Sequence, residues 1–166
     1  MARFFNERCI VKILFIRHAK AVDRVSWLRD DMLRPLSDKG VSTAKSVFRA
    51  VSKIYDTPDL VLASETLRAR ETADIFLKFF PAAKLEVVAS LNPGFDFENF
   101  KNIIAKNIRL GMLVLIGHEP DFSSIISELF ESKHTLVDFK KCAVLEIEIE
   151  ENSPPVLRAL IPPKVF

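Results

Sequence analysis

Short apolar runs and longer segments of helical period alternate along this chain, and this alternation is its strongest constraint on the fold. Each mainly apolar segment spans five to seven residues, which is short for a buried helix and suits a strand covered on both faces. The predicted strands cover residues 11–16, 59–63, 85–91 and 112–117, and the predicted helices cover residues 37–55, 66–80, 97–107 and 120–130. Such alternation is typical of a parallel sheet with helices on its faces.

The C-terminal part of the chain has a different pattern. Residues 143–150 (AVLEIEIE) alternate apolar and acidic side chains, which predicts a half-exposed strand, and residues 156–161 can pair with it as a hairpin. We therefore predict an α/β fold, a three-layer α/β/α sandwich whose central sheet is mainly parallel with a mixed edge. A chain of 166 residues fits one compact domain, so we expect a single domain over residues 1–166, with residues 1–10 as an N-terminal extension.

Charge and composition disfavour several classes of partner. The chain has 24 Lys and Arg against 22 Asp and Glu, so its net charge of +2 favours neither nucleic acid nor an anionic membrane as a partner. No apolar run approaches the roughly 18 residues that span a bilayer, and no secretory signal precedes the two cysteines, Cys9 and Cys142. We expect both thiols to be reduced and the protein to be cytoplasmic.

The residues that carry chemistry follow the predicted strands. Ligands of open parallel sheets bind beyond the carboxyl ends of the strands, where the side chains after each strand converge. Two of the three histidines stand there, and arginines stand near them. The first strand ends in Arg17 and His18, the second in Ser64 with Arg68 and Arg70 on the following helix, and the fourth in Gly117, His118 and Glu119.

Two imidazoles and two guanidiniums in one crevice point to phosphoryl chemistry. An arginine presents a planar, permanently charged fork that matches phosphoryl oxygens. A neutral imidazole nitrogen can attack phosphorus, so we infer a phosphohistidine intermediate, with Arg17, Arg68 and a protonated His118 stabilising the transferred group. A zinc site is disfavoured, because two histidines without convergent cysteines or carboxylates are too few ligands and arginines repel a cation. The third histidine, His134, lies in a polar segment and is predicted to be a surface residue.

Four motifs follow one another along the chain: RHAKA at residues 17–21, DDMLRPLSDKG at 30–40, SETLRARETA at 64–73 and GHEP at 117–120. In this order and spacing, and over residues 11–149 as a whole, the chain resembles the histidine phosphatase superfamily, and within it the small phosphohistidine phosphatases of the SixA type. The resemblance implies a phosphoglycerate mutase-like fold, His18 as the phosphorylated nucleophile, Arg17 and Arg68 as phosphate ligands, and His118 as the residue that completes the pocket. It also implies a reaction without metal or other cofactor.

The chain departs from the wider superfamily at two places. The common Arg-His-Gly triplet ends in Ala19 here, a change that slightly restricts the backbone. In the segment VVASLNPGFDFENF, no residue matches securely the acid that protonates the leaving group in mutases and many ester phosphatases of the superfamily. Asp96, Glu98 and Glu119 are the candidate proton donors, and Arg34 is a candidate for a further contact to phosphate or to the partner.

The lack of a matching acid bears on the substrate. An alkoxide leaving group needs a positioned acid, which contributes about 10²–10⁴ in rate, whereas phosphohistidine leaves as neutral imidazole once its ring has gained a proton. No long insertion between the strands is predicted that could fold over a small metabolite. The sequence thus favours a phosphatase that acts through a phosphohistidine enzyme intermediate on phosphohistidine of a protein partner. Two alternatives stay open: a small-molecule phosphomonoesterase of the same superfamily, and a non-catalytic module that binds phosphoprotein.

Overall fold

A computed structural model describes residues 10–165. Cys9 and the predicted N-terminal extension lie outside the described residues, except for Ile10, which belongs to the first strand. No helix in the described part of the chain is long and apolar enough to cross a membrane. The main elements are β1 (Ile10–Arg17), α1 (Asp38–Val51), β2 (Leu60–Ala63), α2 (Leu67–Leu77), β3 (Lys84–Val87), α3 (Phe97–Asn107), β4 (Met112–Gly117), α4 (Asp121–Leu129), β5 (Val144–Glu150) and β6 (Val156–Ile161).

The strands form one sheet in the order β3-β2-β4-β1-β5-β6. β1 to β4 run parallel to one another, whereas β5 and β6 are antiparallel to their neighbours. The mainly parallel sheet with a mixed edge is therefore confirmed. The register of β1 and β4 pairs Arg17 with Gly117. Because both strands end at that row, the residues that follow them, His18 and His118, leave the sheet side by side.

Helices cover both faces of the sheet, which confirms the three-layer α/β/α sandwich. Successive residues of a strand point to opposite faces, so Leu14 and Ile16 of β1 pack on one side and Ile13 and Phe15 on the other. Helices α1 and α2 cover the first side, and α3 and α4 cover the second. All four β1 side chains are fully buried, so packing on both faces holds the strand whose end carries His18.

Some elements end earlier than their sequence pattern predicts. The strand expected over residues 85–91 ends at Val87, and Ala89–Leu91 form a 3-10 turn that buries Leu91 in the core. β3 lies at the edge of the sheet, and three of its four side chains are exposed. The apolar residues after it therefore reach the core through a turn. The helices predicted over residues 37–55 and 66–80 likewise end at Val51 and Leu77, since the residues after them form turns.

The alternating pattern of β5 does not leave all of its acidic side chains in water. Glu146 is buried, and its carboxylate accepts a hydrogen bond of 2.7 Å from the Tyr55 hydroxyl. The ammonium of Lys12 lies 3.6 Å from the same carboxylate. The prediction of a half-exposed strand is wrong at this position, because Tyr55, just beyond α1, packs over that part of the sheet.

The start of α1 is hydrogen-bonded to the segment that follows His18. Ser37 caps the helix as predicted, since its hydroxyl accepts a hydrogen bond of 3.1 Å from the backbone N–H of Gly40. The backbone N–H of Ser37 donates to the carbonyl of Lys20 at 2.9 Å. A Cβ at position 40 would overlap that same carbonyl oxygen, so Gly40 permits the close approach. Helix α1 thereby supports the backbone next to His18.

Candidate active site

A cavity of about 680 Å³ lies beyond the carboxyl ends of β1 and β4. Its lining includes Arg17, His18, Arg68 and His118, so the structure brings together the four residues that the strand-end pattern predicted to converge. The His18 and His118 ring centroids are 5.2 Å apart. The parallel register explains this convergence, because β1 and β4 end at the same row of the sheet.

The imidazole of His18 is held in one tautomer. Its Nδ1 lies 2.7 Å from the carbonyl oxygen of Ala19, and because a carbonyl only accepts, Nδ1 carries the proton. Burial is the main reason that the pKa of His18 lies well below its usual value of 6.5, and the neighbouring titratable ring of His118 and the charges of Arg68 and Arg17 lower the pKa further. The ring is therefore neutral near pH 7, and Nε2 keeps the lone pair that a nucleophile needs.

Ala19 fits the backbone without strain, although the wider superfamily favours glycine at this place. Its side chain is fully buried, and its backbone is not among the left-handed residues of the described chain. Its N–H donates a hydrogen bond of 3.1 Å to the hydroxyl of Thr72, which in turn donates to the carbonyl of Arg68 at 2.7 Å. Thr72 thus links the segment that carries His18 to the helix that carries Arg68.

Arg17 is oriented by the segment before β5. Its Nη1 donates a hydrogen bond of 2.7 Å to the carbonyl of Phe139, whereas its buried Nε has no partner among the described residues. Cys142, whose left-handed backbone has φ 65°, donates its N–H to the carbonyl of Arg17 at 3.0 Å. The thiol of Cys142 is buried, which raises its pKa to about 12, so this cysteine is not a reactive nucleophile near pH 7.

Arg68 is only 3% exposed, and Asp31 holds its guanidinium. Nη1 of Arg68 donates to the backbone carbonyl of Asp31 at 2.8 Å and lies 3.1 Å from its carboxylate. The same carboxylate accepts a hydrogen bond of 2.8 Å from Nε of Arg34, which also lines the pocket. Like that of Arg17, the Nε of Arg68 is buried without a partner among the described residues. Both arginines therefore keep donor capacity for an anion.

Asp31 is a site residue that the sequence reasoning missed. It begins the short 3-10 helix Asp31–Leu33, an element that the apolar pattern does not predict. Hydrogen bonding to Arg34 and the charges of Arg68, Arg34 and Arg24 lower the pKa of its carboxyl, against the opposing effect of burial. The one available signal was its spacing, since Asp31 and Arg34 are three residues apart in DDMLR and can pair within a turn.

His118 is positioned by a network of polar side chains after β2. Its Nε2 lies 2.9 Å from the hydroxyl of Ser64 and 3.3 Å from that of Thr66. The Ser64 hydroxyl lies 2.9 Å from Oδ1 of Asn92 and can donate to it. In that arrangement Ser64 accepts from Nε2–H of His118, and Nδ1 carries the lone pair of the neutral ring. Nothing in the motif pattern indicates Asn92, which lies 28 residues from Ser64.

The protonated state expected for His118 is not the one that this structure favours. Burial and the nearby charge of Arg68 lower the pKa of His118 to about 3, so its ring is neutral near pH 7. The prediction from sequence took His118 to be protonated, but it did not include the free-energy cost of burying a charged imidazole beside arginines. A bound phosphate dianion would raise this pKa again, because opposite charge favours the protonated ring.

The three candidate proton donors have different surroundings. Glu119 lines the pocket, and its half-buried position raises the pKa of its carboxyl. Asp96 instead caps α3, accepting a hydrogen bond of 2.8 Å from the backbone N–H of Asn99. The exposed Glu98 pairs with Lys101 at 2.6 Å on the same helix. Neither Asp96 nor Glu98 lines the pocket, so Glu119 is the one of the three candidates that the structure places there.

Other predicted features are also located by the structure. Arg70, in the first turn of α2, is exposed and does not line the pocket. His134 is exposed, which confirms its prediction as a surface residue. Within residues 10–165 no group of three or more His, Cys, Asp or Glu side chains is placed to hold a metal ion. Pro93 is the residue that the loop before α3 contributes to the pocket.

Comparison with known proteins gives two direct sequence matches. The family model of the histidine phosphatase superfamily (branch 1) matches residues 13–103, which is more than half of the chain. An uncharacterized protein of Picosynechococcus sp. (strain PCC 7002) is 30% identical over 113 residues, which cover 67% of this chain and 68% of that protein.

Several solved structures share the fold. The protein histidine phosphatase SixA complexed with tungstate has a TM-score of 0.81 at 20% identity, over 93% of this chain and 98% of that chain. A SixA protein from Agrobacterium tumefaciens has a TM-score of 0.77 at 20% identity, over 91% and 97%. Phosphoserine phosphatase from Entamoeba histolytica has a TM-score of 0.71 at 13% identity, over 93% and 98%. The family match and the shared fold agree, and the chain belongs to the histidine phosphatase superfamily, branch 1.

Proposed function

We propose that this protein is a phosphatase in which His18 takes up the phosphoryl group of the substrate. The observation that carries the proposal is the state of His18. Its Nδ1 is bound to the carbonyl of Ala19 at 2.7 Å, its pKa is lowered, and Arg17 and Arg68 line the same pocket. A neutral ring with Nε2 available among phosphate-binding cations is what nucleophilic attack on phosphorus requires.

The reaction has two steps, each with a defined bond exchange. Nε2 of His18 forms a bond to phosphorus while the bond from phosphorus to the leaving group breaks and its electron pair goes to the leaving group. A phosphohistidine ring that has already gained a proton from solvent leaves as neutral imidazole. Water then attacks the phosphohistidine, which releases inorganic phosphate and restores the neutral ring. The guanidiniums of Arg17, Arg68 and Arg34 stabilise the charge on the phosphoryl oxygens. His118 contributes a ring nitrogen beside them. No step requires a metal ion.

Phosphohistidine on a protein is the substrate that we propose. The loop before α3 supplies Pro93 and no carboxylate to the pocket, and a phosphoramidate has less need of a positioned acid than a phosphate ester has. The solved structure of the protein histidine phosphatase SixA, which shares the fold at a TM-score of 0.81, supports the same substrate class.

The test is transfer of labelled phosphate from a phosphohistidine protein, followed by an acid-free quench that preserves the enzyme phosphohistidine. We expect label on the wild type and on His134→Ala, a matched control for loss of an exposed histidine, and no label on His18→Ala. Label on His18→Ala at the level of the wild type would overturn the assignment of the nucleophile. Turnover that is abolished by EDTA would contradict a metal-independent reaction.

A small phosphate ester is the second candidate substrate, and Glu119 is the observation that favours it. This carboxyl lines the pocket, and burial raises its pKa, so it is the pocket group best able to hold a proton for an alkoxide. If esters are the substrate, Glu119→Gln will lower kcat for an aryl phosphate or phosphosugar by about 10²-fold or more. If phosphohistidine is the substrate, kcat of Glu119→Gln for a phosphohistidine protein will stay within a few-fold of that of the wild type. Phosphate binding without turnover of any donor would indicate a binding module instead.

A further inference from the structure

A long, ordered connection between β1 and α1 borders the active site. Its central part, residues 22–33, is called the docking loop below. The base of the loop is closed by a β-bridge between Ala21 and Leu36 and by a hydrogen bond of 3.0 Å from the N–H of Val22 to the carbonyl of Pro35. Connections of this length with little regular structure are usually functional. The predicted elements already leave residues 17–36 between the first strand and the first helix, and the structure shows that part of this connection lines the pocket.

The tip of the docking loop is organised by local hydrogen bonds. The carboxylate of Asp23 accepts from the N–H of Val25 at 3.0 Å, and the carboxylate of Asp30 accepts from the N–H of Met32 at 2.9 Å. The indole N–H of Trp27 donates to the carbonyl of Asp30 at 2.8 Å. These bonds give the tip a defined conformation, so the direction of its side chains is a property of the fold.

This organised tip directs two apolar side chains into water. Leu28 is 94% exposed and Val25 is 89% exposed, the highest exposures of large hydrophobic side chains within residues 10–165. Neither contributes to the core, which the rest of the chain builds. Single exposed apolar residues are ordinary on protein surfaces, but these two lie three residues apart beside a pocket. Apolar surface at such a place is typical of an interaction site.

The docking loop and the active site share residues. Val22, Asp23, Arg24 and Asp31 line the pocket, so Val25 follows directly after a pocket residue. A ligand confined to the space between the two histidines would leave the loop tip uncovered. A larger molecule that presents its phosphoryl group to His18 meets the tip as it extends out of the pocket.

The charge around the pocket exceeds what one phosphoryl group requires. Seven Lys and Arg side chains line the pocket against three Asp and Glu side chains. The whole chain has 24 basic and 22 acidic residues, so acidic residues outnumber basic ones outside the pocket. Beyond the arginines near His18, Lys20, Lys39 and Lys141 are exposed and form no ion pair with any of residues 10–165. Outer cations of this kind attract acidic groups next to the phosphoryl group.

We propose that the docking loop binds the folded protein that carries the phosphohistidine, with Val25 and Leu28 packing on apolar side chains of that protein. Acidic side chains around its phosphorylated histidine face Lys20, Lys39 and Lys141. This inference rests on the proposed function and deepens it, because it makes recognition depend on a folded surface rather than on the phosphoryl group alone. Charge complementarity selects an acidic partner, and the apolar pair supplies the contact that a small metabolite would not use.

The experiment compares two substrates that carry the same reacting group. One is a folded phosphotransfer domain and the other is a short phosphohistidine peptide, both phosphorylated on histidine with phosphoramidate. The loop variant combines Val25→Ser with Leu28→Ser, and neither residue touches the reacting atoms. Ile54→Ser is the matched control, because Ile54 is also exposed, at 60%, and does not line the pocket.

We expect the loop variant to raise KM for the folded domain about 10-fold or more, and to turn over the peptide within twofold of the wild type. The control variant is expected to match the wild type on both substrates. Raising the salt concentration is expected to raise KM for the folded domain more than KM for the peptide, because salt screens the outer cations.

Three results would overturn the proposal that this loop docks the partner protein. They are an unchanged KM of the loop variant for the folded domain, an equal loss on both substrates, and a wild type that turns over the peptide as efficiently as the domain. In each of these cases phosphohistidine is still hydrolysed, so the proposed function stands. A wild type that hydrolyses neither phosphohistidine substrate but does hydrolyse an aryl phosphate would overturn the proposed substrate, and the docking loop with it.

Discussion

Replacing Ser64 with alanine will test whether the network behind His118 contributes to catalysis as well as to stability. Ser64 is fully buried, and its hydroxyl lies 2.9 Å from Nε2 of His118 and 2.9 Å from Oδ1 of Asn92. Ser64→Ala removes both contacts and leaves Nε2 with the longer contact of 3.3 Å to Thr66. The Nε2–H of His118 then has only this weaker acceptor to hold the ring in its tautomer and orientation.

The size of both effects follows from these contacts. Removing a buried hydroxyl that is hydrogen-bonded to other buried groups costs about 1–3 kcal/mol, which lowers the Tm of a chain of this size by about 2–12 °C. If the Ser64 hydrogen bond also orients His118 in the transition state, its removal costs about 1–2 kcal/mol of transition-state stabilisation in addition. We therefore expect kcat/KM to fall about 5–30-fold.

The assay measures Tm by thermal unfolding, and kcat/KM on a phosphohistidine peptide at a temperature where every variant is folded. Tyr55→Phe is the control for stability, since it removes the hydrogen bond of 2.7 Å to Glu146 and does not line the pocket. We expect Tyr55→Phe to lower Tm without lowering kcat/KM. The reasoning is refuted if Ser64→Ala keeps kcat/KM within twofold of the wild type, or if both variants lose activity equally.

Further predictions concern pH, packing and the arginine clamp. The pKa of His118 is 6.5 in the unfolded chain and about 3 in the folded protein, so its contribution to stability is complete above pH 6.5, and the free energy of unfolding decreases by about 2 kcal/mol by pH 5. Urea unfolding at pH 7 and pH 5 should show a smaller decrease in His118→Gln than in the wild type. Equal decreases in the two proteins would contradict the pKa shift. Gly40→Ala overlaps the carbonyl of Lys20 and is expected to cost about 1–3 kcal/mol in the free energy of unfolding, whereas unchanged stability would disprove the close approach. Asp31→Asn keeps the backbone contact to Arg68 but removes the carboxylate, so calorimetry should show tighter binding of inorganic phosphate, and weaker binding would contradict a mainly electrostatic effect.

The order and type of the main elements could be predicted because the sheet is buried on both faces. Continuous apolar runs such as MLVLIG predicted β4 with its exact bounds, and the amphipathic period predicted helices on either side. The predictions failed where burial depends on a neighbour in space. The shortened β3 and the buried Glu146 are set by an edge position and by Tyr55, and neither is visible in a local pattern.

The proton donor shows the same limit within the site. From sequence, Asp96, Glu98 and Glu119 were equivalent, since each is a carboxylate near a predicted strand or helix end. The structure separates them, because the first two serve the start of α3 and only Glu119 lines the pocket. Position along the chain does not tell which carboxylates will be used as helix caps or ion-pair partners.

The sequence by itself determined that Arg17, His18, Arg68 and His118 converge. Each of them follows a strand whose apolar run specifies its burial, and parallel strands present their carboxyl ends at one edge. The tertiary structure alone decided how these groups are held and charged. Asp31 reaches Arg68 across 37 residues, and Asn92 reaches Ser64 across 28. Burial beside arginines also makes both histidines neutral near pH 7, because desolvation depends on all the chain segments that surround a group.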